Sequence, residues 1–595
     1  MRRIQRVVAR WREGEDDGAA LAMTIIIGMV LMMLVATATV VAVSGTRKSS
    51  HDADWNAAIA AAYAGVEDYK SRLSNDNTYV RYGNPASPFS AGGTAVLPPV
   101  GTNPAFGLGK TGTWAAVPGS VDGAQFRYEV DNRNYSATGS LRLRSTGRVG
   151  DEVRSIVVNL KQEGFVDYLY FTDYEMIDPA QLDNPSACKP AWAWESSSNV
   201  HPYGCERIQF AAGDTIAGPL HSNDTVFTCG ATKFKGEFTT ANPNSPFYKE
   251  TGNCTDPVFT VAPKTAINIG MPPTNTEMIS ETRTDLPETV VRPGCLYTGP
   301  TTITFNSNGT MNVKSPFTRL TRITGSGATG GSAPAECGLV GNVANGLGST
   351  AGATIPVIAQ NLIYVQTVPT SSTNKNYWKT TENPAGFTCS AESTWTFGSL
   401  KFPATDEYLT KASPAHYGCR NGDIYVQGVL DGQVTLASEN YIYVTGNLTY
   451  KDKSDDILGL VGQNAVWVHK PIKCTNWERD NKNSPWRCTS VANLNGTGDR
   501  TIEAAILSVQ HTFIVQNYEY GARMGTLTVM GAIAQKFRGP VALGSTSGYA
   551  KNYAYDSRLK YMAPPKFLSP VSTTYGVSEI VEVKTAFKPD GSAAT

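Results

Sequence analysis

The chain has 595 residues, and its 51 Lys plus Arg balance 51 Asp plus Glu, so the formal net charge is zero. A neutral chain lacks the basic surface that phosphate backbones require, which argues against nucleic acid as the main partner, and the length exceeds what one compact core holds. Charged residues make up only 17 % while glycines number 56, and with long stretches of Thr, Ser, Asn and Val this is the composition of short strands joined by many turns.

Five arginines (Arg2, Arg3, Arg6, Arg10 and Arg12) stand in the first eighteen residues, and no charged residue lies between Asp17 and Arg47. As a helix, those roughly 29 residues reach about 44 Å against a hydrocarbon core of about 30 Å. The stretch Ala19–Ser44 is therefore expected to cross a membrane. The basic leader 1–18 stays inside, and everything after Arg47 is exported. A cleaved secretory signal has an apolar region of only about 7–15 residues. Two readings remain: a plain signal anchor, or a leader cut on the cytoplasmic side between Gly18 and Ala19.

The helical pattern continues past the apolar run. Trp55, Ile59, Ala62, Val66, Tyr69 and Leu73 are spaced 4, 3, 4, 3, 4, which places one packing stripe along a helix. The pattern predicts a single helix over 19–75, with a transmembrane half at 19–46 and an exported half suited to packing on a domain or on neighbouring subunits.

Two segments carry a resemblance. They are Asp17-Gly18-Ala19-Ala20-Leu21 at the leader and Ala57-Ala58-Ile59-Ala60-Ala61-Ala62-Tyr63-Ala64-Gly65-Val66-Glu67 downstream. Together they resemble PilX-type minor pilins, with Tyr63 departing from the family's often acidic position. The resemblance implies processing at Gly18–Ala19 by a prepilin peptidase, other pilin-like subunits as partners, and a role in a type IV pilus or related filament. It also implies a small antiparallel sheet packed on the exported half of the helix. Major pilins of this kind carry Glu at the fifth mature residue, whereas this chain has Met23, which points away from a bulk filament subunit.

Residues 76–120, rich in Asn, Pro, Gly and Ala, read as a long loop or insertion. Strand signals follow at Phe126–Val130, Leu141–Ser145 and Val153–Leu160, so 76–164 reads as a pilin-like α+β domain. From about Phe165 to Leu568, short apolar strands recur between glycines. Gly213-Asp214-Thr215-Ile216 and Gly422-Asp423-Ile424-Tyr425 share a form, and each follows a Tyr-Gly-Cys. The fold class is therefore α+β, mainly β. Stacked rungs of a parallel β-helix-like solenoid are preferred for 165–568, with β-sandwich domains as the alternative. Tyr549, Tyr553 and Tyr555 are expected to cap the last rung with their hydroxyls toward water, beside an Asp556–Arg558 pair, and 569–595 reads as a flexible tail.

All ten cysteines follow the apolar segment: Cys188, Cys205, Cys229, Cys254, Cys295, Cys337, Cys389, Cys419, Cys474 and Cys488. An even number at wide spacing, with no CxxC, reads as a disulfide set in an oxidising compartment. Sequential pairing is simplest, although connectivity stays open. No catalytic constellation, metal-ligand spacing or cofactor motif emerges. His51, His201, His221, His416, His469 and His511 stand apart in the sequence. His221-Ser222-Asn223-Asp224 reads as a turn or a polar site. Asp423 with Asp431, or Asp455 with Asp456, are the carboxylate pairs a polysaccharide-cleaving solenoid would need. Three functions follow in order of preference. The first is a minor pilin-like subunit whose β-rich module contacts a surface glycan, a host or a substratum. The second is a single-pass surface protein that does not assemble, with a structural or carbohydrate-binding ectodomain. The third is a polysaccharide-active enzyme.

Overall fold

The computed structural model describes residues 19–594, apart from 99–102, 110, 134, 136–139, 163, 253, 287–292, 392–393, 411–416, 483, 561 and 571–574. Two compact units result. One comprises Met1–Arg133, Leu141–Leu160 and Val577–Thr595; the other comprises Asn134–Ser140 and Lys161–Gly576.

The first unit is built on helix α1, Ala19–Asn75, which is unbroken over 57 residues. Its sequence contains no proline, and its Ala, Leu and Met content favours the helical state. The half after Arg47 packs on a sheet of five strands. Four of these are β1 (Ala115–Ala116), β2 (Gln125–Asp131), β3 (Ser140–Val149) and β4 (Glu152–Gln162). β1 and β3 both pair antiparallel with β2. The buried face of α1 consists of Ala58, Ala61, Ala62, Val66, Tyr69 and Leu73. The predicted stripe thus lies inward from Ala62 onward, whereas Ile59 is half-buried and Trp55 is exposed beneath the Arg154 guanidinium at 4.4 Å.

Small residues let helix and sheet approach closely. A methyl group on Gly147 of β3 would overlap the backbone of α1 at Ala58, Ala61 and Ala62. One on Gly65 of α1 would meet Ser145 and the Phe126 ring. Further along, Tyr69, Tyr79, Phe106 and Tyr128 form an aromatic cluster in which Tyr128 meets Tyr69 and Phe106 edge to face, with Tyr69 and Tyr128 centroids 5.1 Å apart. This cluster orders part of the loop predicted at 76–120.

The fifth strand corrects the expected tail. Tyr575–Val583 joins the sheet beside β4, and the chain beyond it folds over the sheet face opposite α1. There Arg127 is buried, lying 4.4 Å from the Trp114 ring and 3.2 Å from the Phe587 ring, and it donates to Gly591 O at 2.8 Å. Polar composition suggested fraying, but the arginine on β2 needs exactly such aromatic and carbonyl cover once it leaves water.

The second unit is mainly β. Its largest sheet has 22 strands, and most of its pairings are parallel. In one ladder, Cys295, Ile363, Leu436, Leu460, Ile506, Ile533, Tyr170, Leu220 and Phe238 are each paired with the next. All of them point into a single core. In a second ladder, Ile303, Val426, Val444, Val468 and Val515 follow the same rule and enter the same core. Neighbouring residues alternate outward, yet they are also covered. Leu296, Tyr364, Ala437, Val461, Leu507 and Ala534 form a second cluster, and Tyr425, Tyr443, Trp467 and Ile514 a third. Two covered faces explain why Ile457–Gly462 reads as a continuous apolar run.

The order of strands in the first ladder is not the order of the chain. Tyr170–Tyr174, the first strand of this unit, lies between Arg523–Phe537 and Leu220–Ser222. From Lys264–Thr265 at one end the chain must return to Cys295–Thr298 at the other, and residues 266–286 run along the outer face. Asn223 Nδ2 donates to Ile269 O at 2.8 Å, Asn275 Nδ2 donates to Ser438 O at 2.8 Å, and Ile269 and Met278 join the outer cluster. Ser547–Tyr555 is likewise an internal strand, flanked by Arg523–Phe537 and Thr215–Ala217. The expectation of a tyrosine cap therefore fails: Tyr549 and Tyr553 are buried in the core, and Tyr555 donates its hydroxyl to Val166 O. The Asp556–Arg558 pair is present at 2.6 Å.

All ten cysteines form disulfides between neighbours in sequence: Cys188–Cys205, Cys229–Cys254, Cys295–Cys337, Cys389–Cys419 and Cys474–Cys488. Each closes a local loop of 14 to 42 residues.

Candidate functional site

Helix α1 changes character along its length. From Leu21 to Val43 the large apolar residues are all exposed, with Met32 at 78 % and Met23 at 61 %. The hydroxyls in this stretch turn back onto the helix. Thr24 Oγ1 donates to Ala20 O at 2.9 Å, Thr37 Oγ1 to Met33 O at 2.9 Å and Thr39 Oγ1 to Val35 O at 2.5 Å. Polar side chains so satisfied leave an apolar outer surface of the kind a hydrocarbon environment requires. Of the suggested processing pair, Gly18 lies outside the described residues, and Ala19 is the first residue of the helix.

The polar switch comes at Arg47–Asp54. His51 Nδ1 lies 2.8 Å from Glu152 of β4, and Trp55 under Arg154 begins the segment that meets the sheet. Arg154 is in turn paired with Glu582 of the last strand. Deeper in, Asp68 accepts from Arg72 Nε at 2.9 Å and from the Tyr128 hydroxyl at 3.0 Å. Burial and the neighbouring Asp68 raise the Tyr128 pKa, so this phenol stays a donor. One helix thus holds two surfaces: a bare apolar half and a half locked to a sheet by close packing and ion pairs.

Elsewhere the nominated polar groups turn out to be scaffolding. His221, Ser222, Asn223 and Asp224 are all fully buried, which, of the two expectations there, leaves the turn with backbone-bound Asp224 rather than a polar site. His221 bonds Thr239 at 2.9 Å, and burial pushes its pKa down to about 4. Asp224 accepts from the backbone N–H groups of Glu175, Ala193 and Thr225 and meets His201 Nε2 at 2.7 Å. The acidic pairs are occupied as well. Asp423 is buried, accepts from Asn440 Nδ2 and Tyr441 N, and has its pKa raised by burial. Asp431 pairs with Lys451 at 2.7 Å, Asp455 accepts from Gln433, and Asp456 accepts from the backbone of Gly432 and Asp452. Among the described residues no group of three or more His, Cys, Asp or Glu is placed to hold a metal.

Two features escaped sequence reasoning. A buried ion pair joins Glu175 to Arg538 at 2.9 Å, with Arg538 stacked 3.6 Å from the Phe210 ring. Its partners stand 363 residues apart, and no local pattern announces them. The second is an antiparallel ribbon, Ile472–Glu478 with Arg487–Asn493, bridged by Cys474–Cys488. It carries Trp477 and Trp486 at 49 % and 58 % exposure. Two tryptophans enclosed by a cysteine pair at 14-residue spacing are the signal that a closer reading would have found.

No protein-family model matches the chain, and no curated protein matches it at a significant level. Among solved structures it aligns with the competence-associated pilin ComZ from Thermus thermophilus. The identity is 12 % over 89 % of this chain and 97 % of that one, with a TM-score of 0.24, too low to support an argument about fold or function.

Proposed function

We propose that this chain is a minor pilin-like, membrane-anchored surface subunit. Its apolar half-helix sits in the cytoplasmic membrane and then among other pilin-like helices of a type IV pilus or related filament, with the body outside. The observation that carries this reading is α1: one unbroken helix with an apolar half free of packing partners among the described residues and a second half seated on an antiparallel sheet. A plain anchor ends at the membrane surface and has no use for the second half. Cleavage by a prepilin peptidase at Gly18–Ala19 is part of the proposal, as is the resemblance to PilX-type minor pilins. The five disulfides fit an exported body.

The second unit is read as a parallel β-helix-like solenoid, supported by the parallel ladders with residues of one type in register. Surface contact or adhesion is assigned to it, and the ribbon bearing Trp477 and Trp486 supplies exposed aromatic area for contact with a glycan, host or substratum. Met23, in the place of an assembly glutamate, favours a second reading: a surface protein anchored by the same helix that never enters a filament.

Intact mass of the protein purified from membranes tests the processing. A mature chain starting at Ala19 supports it, and a chain retaining residues 1–18 refutes it. Fractionation separates the two readings: recovery with sheared filaments supports assembly, whereas confinement to the membrane fraction supports the non-assembling protein.

A further inference from the structure

The second unit holds a cavity of about 200 Å³ that the anchoring role leaves unexplained. Its floor comes from His469 and Lys470, which follow the strand Ala465–Val468, and from Arg500, the first residue of the strand Arg500–Ser508. The mouth is the exposed loop Asn495-Gly496-Thr497-Gly498.

The charges here do not balance. Lys470 is 2 % exposed and meets no carboxylate among the described residues; its Nζ donates to Asn517 O at 3.0 Å and Tyr520 O at 2.5 Å. Burial accordingly pushes its pKa down to about 8. Arg500 is half-buried with no ion pair among the described residues; its guanidinium hydrogen-bonds the Tyr549 side chain, while its Nε is buried without a partner. His469 is 7 % exposed, and its Nε2 is likewise buried without a partner. Burial and the charge of Arg500 push the imidazole down to about 3, so it stands neutral and offers one N–H. The one acidic residue in the lining, Asp499, is turned to the backbone, accepting from Thr526 N at 2.7 Å.

One buried and one half-buried cation against one carboxylate, with the Arg500 Nε–H unmet beside an opening, form an arrangement that an anion would stabilise. The surplus of one positive charge matches a monoanion. A guanidinium edge suits the two oxygens of a carboxylate, and the volume admits one such group with a few waters. The small residues at the mouth let a larger molecule present that group from outside. We infer that the Arg500–His469 cavity binds a carboxylate, such as that of an acidic sugar. This inference stands apart from the helix and does not rest on filament assembly.

The test uses the full-length protein in detergent and saturation-transfer NMR with glucuronate, glucose, acetate and inorganic sulfate as probes. Glucuronate and acetate are expected to bind in the millimolar range and glucose not at all, with Arg500→Gln weakening binding at least tenfold. Thr497→Trp, on the exposed rim, closes the mouth while leaving the buried groups in place, and it is expected to abolish binding with an unchanged melting temperature. Binding of sulfate but not of either carboxylate would overturn the ligand class. No binding of any probe, or undiminished binding in both variants, would reduce the cavity to a hydrated void and overturn the inference.

Discussion

Replacing Gly147 by Ala puts a methyl group where the backbone of α1 already stands. The added carbon would lie 2.8 Å from the carbonyl carbon of Ala61 and overlap Ala58 O and Ala62 N more severely. All three of these nearest atoms are backbone, so no side chain can swing aside and the helix itself must lift by a sizeable fraction of an ångström. A gap of about 0.5–1 Å forfeits a quarter to a half of the dispersion between the faces it separates. Overpacking of this kind costs about 1–3 kcal/mol. Hydrogen exchange read by mass spectrometry reports the change locally: protection of residues 58–73 in α1 and of β2 should fall about five- to 150-fold, given a factor of ten per 1.4 kcal/mol. The strands of the second unit should keep wild-type protection. Gly164→Ala is the control, because a methyl there meets nothing within 4 Å and its φ is −136°. Unchanged protection of α1 in Gly147→Ala would show that the close approach of helix and sheet does not hold this unit together.

Replacing both Cys295 and Cys337 by Ser opens a 42-residue loop whose bridge is fully buried, and a loss of about 2–5 kcal/mol in urea unfolding is expected; a midpoint equal to wild type would refute it. His221 stays neutral in the fold, with a pKa of about 4 against an ordinary 6.5. Its contribution is full above pH 6.5 and is lost as pH falls toward 4, so between pH 7 and pH 5 the wild type should lose about 2 kcal/mol more than His221→Asn, at about 1.36 kcal/mol per pH unit. Parallel pH curves for the two proteins would sink that argument. Phe587→Ala uncovers the Arg127 guanidinium, whose pKa burial has pushed down to about 10, and about 1–2 kcal/mol of stability should go with the cation–π contact and its apolar area. The readout is exchange at β2, and no change there would mean that the terminal segment is dispensable.

Periodicity made α1 legible, since 3.6-residue spacing survives in any helix with one buried side. The strands of the first unit were legible for a similar reason: β2, β3 and β4 each contain the segment that β-propensity marked. Trp55 was misassigned to the buried stripe because spacing gives the face of a helix but not the point at which its partner begins. The terminal strand Tyr575–Val583 was missed because its neighbour β4 lies more than 400 residues earlier, and its polar flank concealed the role of Phe587. Tyr549 and Tyr553 were placed at an end because sequence order was taken for stacking order. Local cues carry the strands themselves, while the insertion of Tyr170–Tyr174 between strands made much later is recorded only in long-range pairing. The polar groups divide the same way. Asp423 and Asp224 looked like candidates for chemistry because nothing in a sequence shows which carboxylates are consumed by backbone N–H groups.

The placement of Tyr170–Tyr174 sets a timetable for the emerging chain. This strand needs Arg523–Phe537 on one side, and Thr215–Ala217 needs Ser547–Tyr555. Everything from Leu169 to Thr265 must therefore wait until about three hundred further residues have been delivered. During that interval the Cys188–Cys205 and Cys229–Cys254 loops can close, since each needs only neighbours already delivered. A chain stopped short of residue 523 should be left with open strand edges and be cleared by proteases. Completion of the body thus depends on strands delivered near the end of the chain.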